Sequence, residues 1–219
     1  MSDDAPFTWA VVVPVKLLAR AKSRIAPLAG PRRAELALAM AFDTVSAVVA
    51  APGVGQVIVV TDDPVAAGEL SAAGAAIVPD EPRDGLNAAL VYGAACANRR
   101  RPASGSGTAA LSADLPALRP GEIGTALRAA AAWPEAFVPD RQGSGTTLYT
   151  AAPGAAFRPR FGVESRRRHA DGGAAEVLLS GLAGLRQDVD TPEDLRAAAR
   201  LGLGPRTGAL AAELLRAAG

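Results

Sequence analysis

The chain is poor in the residues that most enzymes use for covalent or proton-transfer chemistry: its 219 residues hold one cysteine, Cys96, and one histidine, His169. That pair excludes an internal disulfide, a His/Cys zinc site and the paired histidines of a metalloprotease. Aromatic residues make up only 4%. No apolar run reaches the ~18 residues that a membrane span needs. The acidic start MSDDAPFTW is not built like a secretory signal, so a cytoplasmic protein is the default expectation. The net charge of +1 lacks the basic excess of a nucleic-acid or anionic-membrane binder. Neither a GxxxxGK[ST] loop nor a strand-linked GxGxxG fingerprint occurs, and no GxSxG elbow is present for a serine hydrolase. Cys96, inside GAACAN, reads as a buried thiol without a partner to activate it.

What the chain does have is alternation. Short β-branched runs predict strands at 9–15, 56–61, 75–79, 108–113, 135–139, 146–151 and 185–189. Between them, alanine-rich segments predict helices at 31–51, 64–73, 86–99, 120–132, 165–170, 173–180, 192–201 and 207–218. In the helix after Pro31, residues Leu36, Met40, Val45 and Val48 form one apolar stripe. Near-continuous apolar strands separated by helices imply an α/β fold, with a mixed, mostly parallel sheet covered on both faces. Residues 1–219 read as a single Rossmann-like domain, since no linker or tandem repeat divides them. The segment NRRRPASGSG (98–107) reads as an exposed, mobile loop. From 135 to 170 the pattern becomes a β-hairpin around DRQGSG, followed by a short basic helix.

Sheets of this kind bind ligands beyond the carboxyl ends of their strands. There the residues become informative. Lys16, Arg20, Lys22 and Arg24 follow the first strand, an arrangement suited to a small anion, with Arg20 the member best read as plain surface. Asp114 lies just past the fourth apolar strand, in LSADLPAL. Asp188 and Asp190 end the last, in QDVDTPEDL, two residues apart and so on one side of an extended segment. Carboxylates from two strand ends can hold Mg²⁺, which takes one or two carboxylates together with substrate phosphates. A cation cluster and a Mg²⁺ site at one sheet edge are what a nucleoside triphosphate needs. Glu193 and Asp194 read as dipole partners in the first turn of a helix.

Three further features lie nearby in the same pattern. Ser165 looks like a helix start whose free N–H groups favour a carboxylate or phosphate, with His169 on the same helical face. Thr146 and Thr147 follow the flexible QGSG turn and can supply hydroxyl or N–H donors. Asp84–Gly85 is a turn pair, and Asn87 in the next helical turn carries the paired donor and acceptor that could read a purine edge. An ordinary cap or turn is the competing reading for each.

VPVKLLARAKSRIAPL, EPRDGLNAAL, SADLPAL, GSGTTLYT, FGVESRRRHA and DVDTPEDL, taken in order, resemble the CofC-type guanylyltransferases of coenzyme F420 biosynthesis. The resemblance runs over almost the whole chain and implies the MobA-like, nucleotide-diphospho-sugar transferase fold. Many proteins of that fold carry a glycine-rich first loop, and this chain has the Lys/Arg version instead. The implied activity moves GMP from GTP onto a phosphorylated three-carbon acid: phosphoenolpyruvate in actinobacterial members, 2-phospho-L-lactate in archaeal ones. The Ala-, Arg-, Gly- and Pro-rich composition leans toward phosphoenolpyruvate. By the same resemblance Lys16 and Lys22 engage phosphates; the cation run adds Arg24 to the nucleotide side, and Lys16, Lys22 and Asp114 are the expected catalytic set. Asp114 with Asp188 or Asp190, or all three, hold one or two Mg²⁺ ions, Gly85 and Asn87 lie by guanine, and Thr147, Gly162 and Ser165 lie by the acceptor; the shared helical face with Ser165 adds His169 to that group. A hand-over of product to a downstream transferase is implied as well. The rival readings are a nucleotide-sugar glycosyltransferase using DVD as its metal motif, a CTP-dependent nucleotidyltransferase of the same fold, and a catalytically silent nucleotide-binding protein.

Overall fold

Apolar runs fold into one sheet here, and the length of each connection decides the direction of its strands. The computed structural model describes residues 8–20, 22–100 and 106–217. In chain order the elements are β1 (Trp9–Pro14), α1 (Ala26–Ala29), α2 (Arg33–Val49), β2 (Val54–Val60), α3 (Pro64–Ala72), β3 (Ala76–Val78), α4 (Leu86–Arg100) and β4 (Gly107–Leu111). There follow α5 (Pro120–Ala130), β5 (Glu135–Pro139), β6 (Thr146–Ala151), α6 (Ser165–Asp171), β7 (Ala175–Glu176), α7 (Ala183–Arg186), α8 (Pro192–Leu201) and α9 (Pro205–Ala217). Short 3-10 turns carry the chain from β1 toward α2.

The strands lie in the order β3-β2-β1-β4-β6-β5-β7. β1 runs parallel to β2 and β4, and β2 parallel to β3, because a helix crosses back between each successive pair. β6 opposes both β4 and β5, since only residues 140–145 join it to β5. β7 closes the edge parallel to β5. This is the mixed, mostly parallel sheet and hairpin that the pattern predicts.

Alternate residues of β1 serve two cores. Val11 and Val13 pack with α2, α3 and α5 on one face, while Ala10 and Val12 pack with α4, Phe137, Tyr149 and Phe161 on the other. Gly93 lets α4 lie close to the sheet, because a Cβ there would meet Val12 Cγ1 at 2.5 Å. Cys96 is buried in this second core, as predicted. A third layer covers the outside of α2, where Leu36 and Met40 meet Leu195, Leu210 and Leu214 of α8 and α9. The single predicted stripe on α2 is therefore two: Val45 and Val48 face the sheet, Leu36 and Met40 face the outer helices.

Three expectations need correction. Residues 185–189 form no strand; Leu185, Gln187 and Val189 are alternately buried as in a strand, but α7 occupies the start and no ladder forms. Residues 173–180 are not helical, because Val177 N–H bonds to Phe137 O and draws the segment onto the sheet edge as β7. Of the loop assigned to 98–107, residues 98–100 end α4 and Gly107 begins β4, while 101–105 lie outside the described residues. The side chain of Arg20 also lies outside them. Among the described residues, no helix is long and apolar enough to cross a membrane.

Candidate active site

At the carboxyl ends of β1 and β4 lies a cleft of about 410 Å³. Its polar wall carries Lys16, Lys22, Arg24, Asp114 and Asp190; Leu86, Leu90 and Phe161 face them. The cation run and two of the three singled-out aspartates thus meet in one cavity, as the strand-end reading expects.

Lys22 is the centre of the cluster. Its Nζ donates to Asp190 Oδ1 at 2.7 Å and to Asp114 Oδ2, so one ammonium joins two carboxylates that are far apart in sequence. The side chain is only 12% exposed. Burial alone would lower the pKa of this ammonium, but Asp114 and Asp190 more than reverse that and hold it above the ordinary lysine value. Its backbone sits at φ 55°, a left-handed conformation that costs a non-glycine residue on the order of 1–3 kcal/mol. Arg24 adds a second cation, with Nη1 3.8 Å from Asp190 Oδ2. Burial would raise the Asp190 pKa, yet Lys22, Arg24 and Lys16 together keep it below the usual carboxylate range.

The backbone explains why these carboxylates stay in place. After β4 ends, Ser112 N–H bonds to Thr147 O on β6 at 2.9 Å, and Leu115 N–H bonds to Thr44 Oγ1 on α2 at 3.0 Å. Asp114 O accepts from Val189 N–H at 3.1 Å, which lays the DVD segment beside the Asp114 loop. Asp190 N–H then donates to Asp194 Oδ2, while Thr191 and Asp194 form a reciprocal cap on α8. Asp194 is thus a first-turn residue, as predicted, with the added duty of orienting Asp190.

Asp188 does not share the Lys22 ammonium with that pair. Burial pushes its carboxyl up to about 7, helped by the negative charges of Asp114, Asp140 and Asp190. Among the described residues, no three acidic, histidine or cysteine side chains are close enough to hold one metal ion. The predicted trio therefore forms a pair, Asp114 with Asp190 on Lys22, with Asp188 nearby in their electrostatic field. Asp140, which the sequence reading missed, ties the hairpin turn by accepting N–H bonds from Gly143, Ser144 and Gly145.

The residues expected beside base and acceptor fall out less evenly. Gly85, at φ 84°, makes the exposed turn into α4. Asn87 donates to Phe161 O at 3.1 Å and accepts from Phe161 N–H at 2.8 Å, a two-point clamp on the apolar wall of the cleft. An amide so engaged keeps one N–H and one lone pair in reserve. Thr147 is buried, and its Oγ1 has no hydrogen-bond partner among the described residues. Gly162, at φ 121°, is exposed one residue beyond Phe161.

Ser165 does begin α6, but its N–H bonds to Gly162 O and that of Arg166 to Ser144 O, so these two amides are not free for an anion. His169, expected beside the acceptor, lies inside the second core with both ring nitrogens engaged. The ring is 1% exposed, stacked on Tyr149 and Phe137, with Nε2 accepting from Arg160 N–H at 2.9 Å and Nδ1 3.0 Å from Thr146 Oγ1. Burial, with Arg160 and Arg168 nearby, lowers its pKa to about 4. The neutral ring is thus favoured by the fold, and protons bind the unfolded chain first as the pH drops. Its stabilisation is complete above pH 6.5 and is lost as pH falls toward 4. In urea unfolding, the stability gap between wild type and His169→Gln should shrink by roughly 3 kcal/mol across that window. A gap that stays constant would mean the ring titrates normally.

Asp63 and Thr44 were also missed. Asp63 before Pro64 carries the signature of a helix cap, which it is, but nothing in the sequence marks its second contact with the cation loop. Thr44 lies mid-helix, where a threonine carries no local signal at all.

Comparison with known proteins adds an independent line. A family model described as "Guanylyl transferase CofC like" matches residues 9–204. The phosphoenolpyruvate guanylyltransferase of Thermomonospora curvata is 61% identical over 213 residues, covering 97% of this chain and 92% of the relative. That of Streptomyces avermitilis is 57% identical, covering 94% and 95%. Among solved structures, a nucleotidyl transferase from Methanothermobacter aligns with TM-score 0.60 at 20% identity, covering 90% of this chain and 98% of that one. A glucosyl-3-phosphoglycerate synthase from Mycobacterium tuberculosis, in complex with Mg²⁺ and uridine diphosphate, aligns with TM-score 0.51 at 17% identity, covering 92% and 82%. At such identities these two structures show the α/β fold alone.

Proposed function

The chain belongs to the CofC-like guanylyl transferases, and on that premise we propose that it transfers a guanylyl group from GTP to phosphoenolpyruvate, releasing pyrophosphate. The observation that carries the site assignment is the Lys22 ammonium held between Asp114 and Asp190 in a cleft also lined by Lys16 and Arg24. Cations from the loop after β1 counter the triphosphate, and carboxylates from the ends of β4 and the DVD segment face them. The two carboxylates converge on a point already shaped for positive charge, and their oxygens are the hard donors that Mg²⁺ prefers. Asp114 and Asp190 would hold the ion, with Asp188 beside them. Bound there, Mg²⁺ neutralises phosphate charge.

In the proposed reaction an oxygen of the acceptor's phosphate forms a bond to the α-phosphorus of GTP as the bond to the bridging oxygen of pyrophosphate breaks. That nucleophile is already anionic at neutral pH, so no general base is needed. This agrees with a fold that buries its one histidine, edge-on behind Phe161 of the cleft wall. Lys16, Lys22 and Arg24 lower the repulsion between two polyanions and orient the triphosphate, which is most of what phosphoryl-type transfer asks of a protein. Asn87 holds Phe161, and Phe161 closes the apolar wall. The guanylylated product then passes to a downstream transferase of coenzyme F420 biosynthesis.

The test is pyrophosphate release from GTP with Mg²⁺ and either phosphoenolpyruvate or 2-phospho-L-lactate, with product mass read in parallel. Phosphoenolpyruvate should be preferred by at least about tenfold in kcat/KM, a margin within reach of one pocket contact. CTP should not replace GTP, and EDTA should stop turnover until Mg²⁺ or Mn²⁺ is restored. Absence of pyrophosphate with both acceptors would remove the assignment.

A further inference from the structure

The loop that delivers Lys16 and Lys22 has little structure of its own. The sheet lets go of the chain after Val15 N–H bonds to Val60 O at 2.9 Å. Between that bond and Lys22, two long-range hydrogen bonds hold the backbone among the described residues, beside the packing of the buried Leu18 side chain in the core. Arg33 Nη2 donates to Ala19 O at 2.7 Å, and Leu18 N–H donates to Asp63 Oδ2 at 2.9 Å. The Arg33 contact is exposed, whereas Asp63 is 9% exposed and its contact with Leu18 is buried.

Asp63 is held on every side. Its own N–H donates to Thr61 Oγ1 at 3.1 Å, and Oδ1 accepts from Val65 N–H at 3.0 Å and Ala66 N–H at 3.1 Å, capping α3. Oδ2 is left for Leu18. The carboxylate thereby bolts the loop after β1 to the rigid end of β2. Burial acts to raise the pKa of Asp63, but the amides of Leu18, Ala66 and Val65 bring it below the ordinary value, so it is ionised at neutral pH with the loop in place.

We propose that Asp63 is a positioning residue for guanylyl transfer, setting through Leu18 N–H where the loop holds Lys16 and Lys22 before nucleotide arrives. This rests on the reading of the cleft as a triphosphate site. Cap and tether use different oxygens, and this makes the role separable from simple stability. An asparagine can keep Oδ1 on α3, where Asn and Ser cap as well as Asp does. Its NH₂ then faces Leu18 N–H, donor against donor. A serine caps α3 and reaches no further. Both variants lose the tether and keep the helix start.

The experiment pairs amide hydrogen exchange with kinetics on Asp63→Asn and Asp63→Ser. Leu18 amide protection should fall at least about tenfold while the amides of β1 and β2 keep theirs, as expected of a local opening. The KM for GTP should rise about fivefold or more with kcat within about twofold, because ordering the loop is then charged to binding and is complete at saturation. Wild-type protection at Leu18, or faster exchange with an unchanged KM, would overturn the proposal. A purely structural role would lower the unfolding temperature and leave the KM alone, which also overturns it. If the wild-type protein itself releases no pyrophosphate from GTP, the triphosphate reading falls and the positioning role with it, and the wild-type control shows that separately from the variants.

Discussion

Asp114→Asn should slow pyrophosphate release by at least about a thousandfold, or about 4 kcal/mol of lost transition-state stabilisation, in a protein that unfolds close to the wild-type temperature. The substitution keeps the shape of the side chain and removes its charge. What anchors the Asp114 loop is backbone: Asp114 O accepts from Val189 N–H, and Leu115 N–H donates to Thr44 Oγ1, and neither bond changes. Lys22 also keeps Asp190 as a partner. The loss therefore falls on the chemistry rather than on the fold. Nucleotide-free Mn²⁺ binding, read by electron paramagnetic resonance, should weaken in step. A variant that turns over within about tenfold of wild type would take Asp114 out of the metal site, since removing one aimed charge-stabilising group costs about a hundredfold or more.

Lys22→Met should move two measurements in opposite directions. Turnover at subsaturating GTP should fall by about a hundredfold or more, the scale expected when a charge aimed at the reacting phosphates is removed. Nucleotide-free Mn²⁺ binding should tighten about tenfold or more, equal to about 1.4 kcal/mol. The second effect follows from position: the ammonium sits between the same two carboxylates that a divalent ion would use. Methionine fills a similar length of side chain with no charge, so it leaves that place open. Tighter metal binding with weaker turnover is a signature that misfolding cannot produce. Metal affinity that falls together with activity would show that Lys22 supports the ion instead of competing for its place.

Much of the architecture was legible because the strands of a covered sheet are apolar along their whole length, as in Val11–Val13 and Val57–Val60, and helices of alanine-rich sequence separate them. The failures share one cause. At 173–180 the Ala- and Leu-containing run has helical propensity, yet a hydrogen bond to the exposed edge of β5 decides its conformation. At 185–189 the burial alternates as predicted, but no neighbouring strand is there to pair with.

The site divides in the same way. Asp114 could be found because charge just past an apolar strand is costly unless it faces ligand or partner. Lys22 and Asp190 could be found because they lie in charged segments that follow apolar runs, although the run before Asp190 forms no strand. For His169, helical spacing from Ser165 says which face it occupies and nothing of what covers that face; Tyr149 and Phe137 cover it. Asp63 and Thr44 could not be found at all, since each acts through a bond to a backbone amide 45 or 71 residues distant.

Two neighbouring residues of α2 look in different directions. Asp43 accepts the N–H groups of Arg206 and Thr207 and so fastens the start of α9, while Thr44 steadies Leu115 next to Asp114. A single helical turn is thus geared to the tail of the molecule on one side and to its chemistry on the other. The seat of α9 and the footing of the Asp114 loop thus rest on adjacent residues of α2, beside the apolar contacts of Leu36 and Met40 with Leu210 and Leu214.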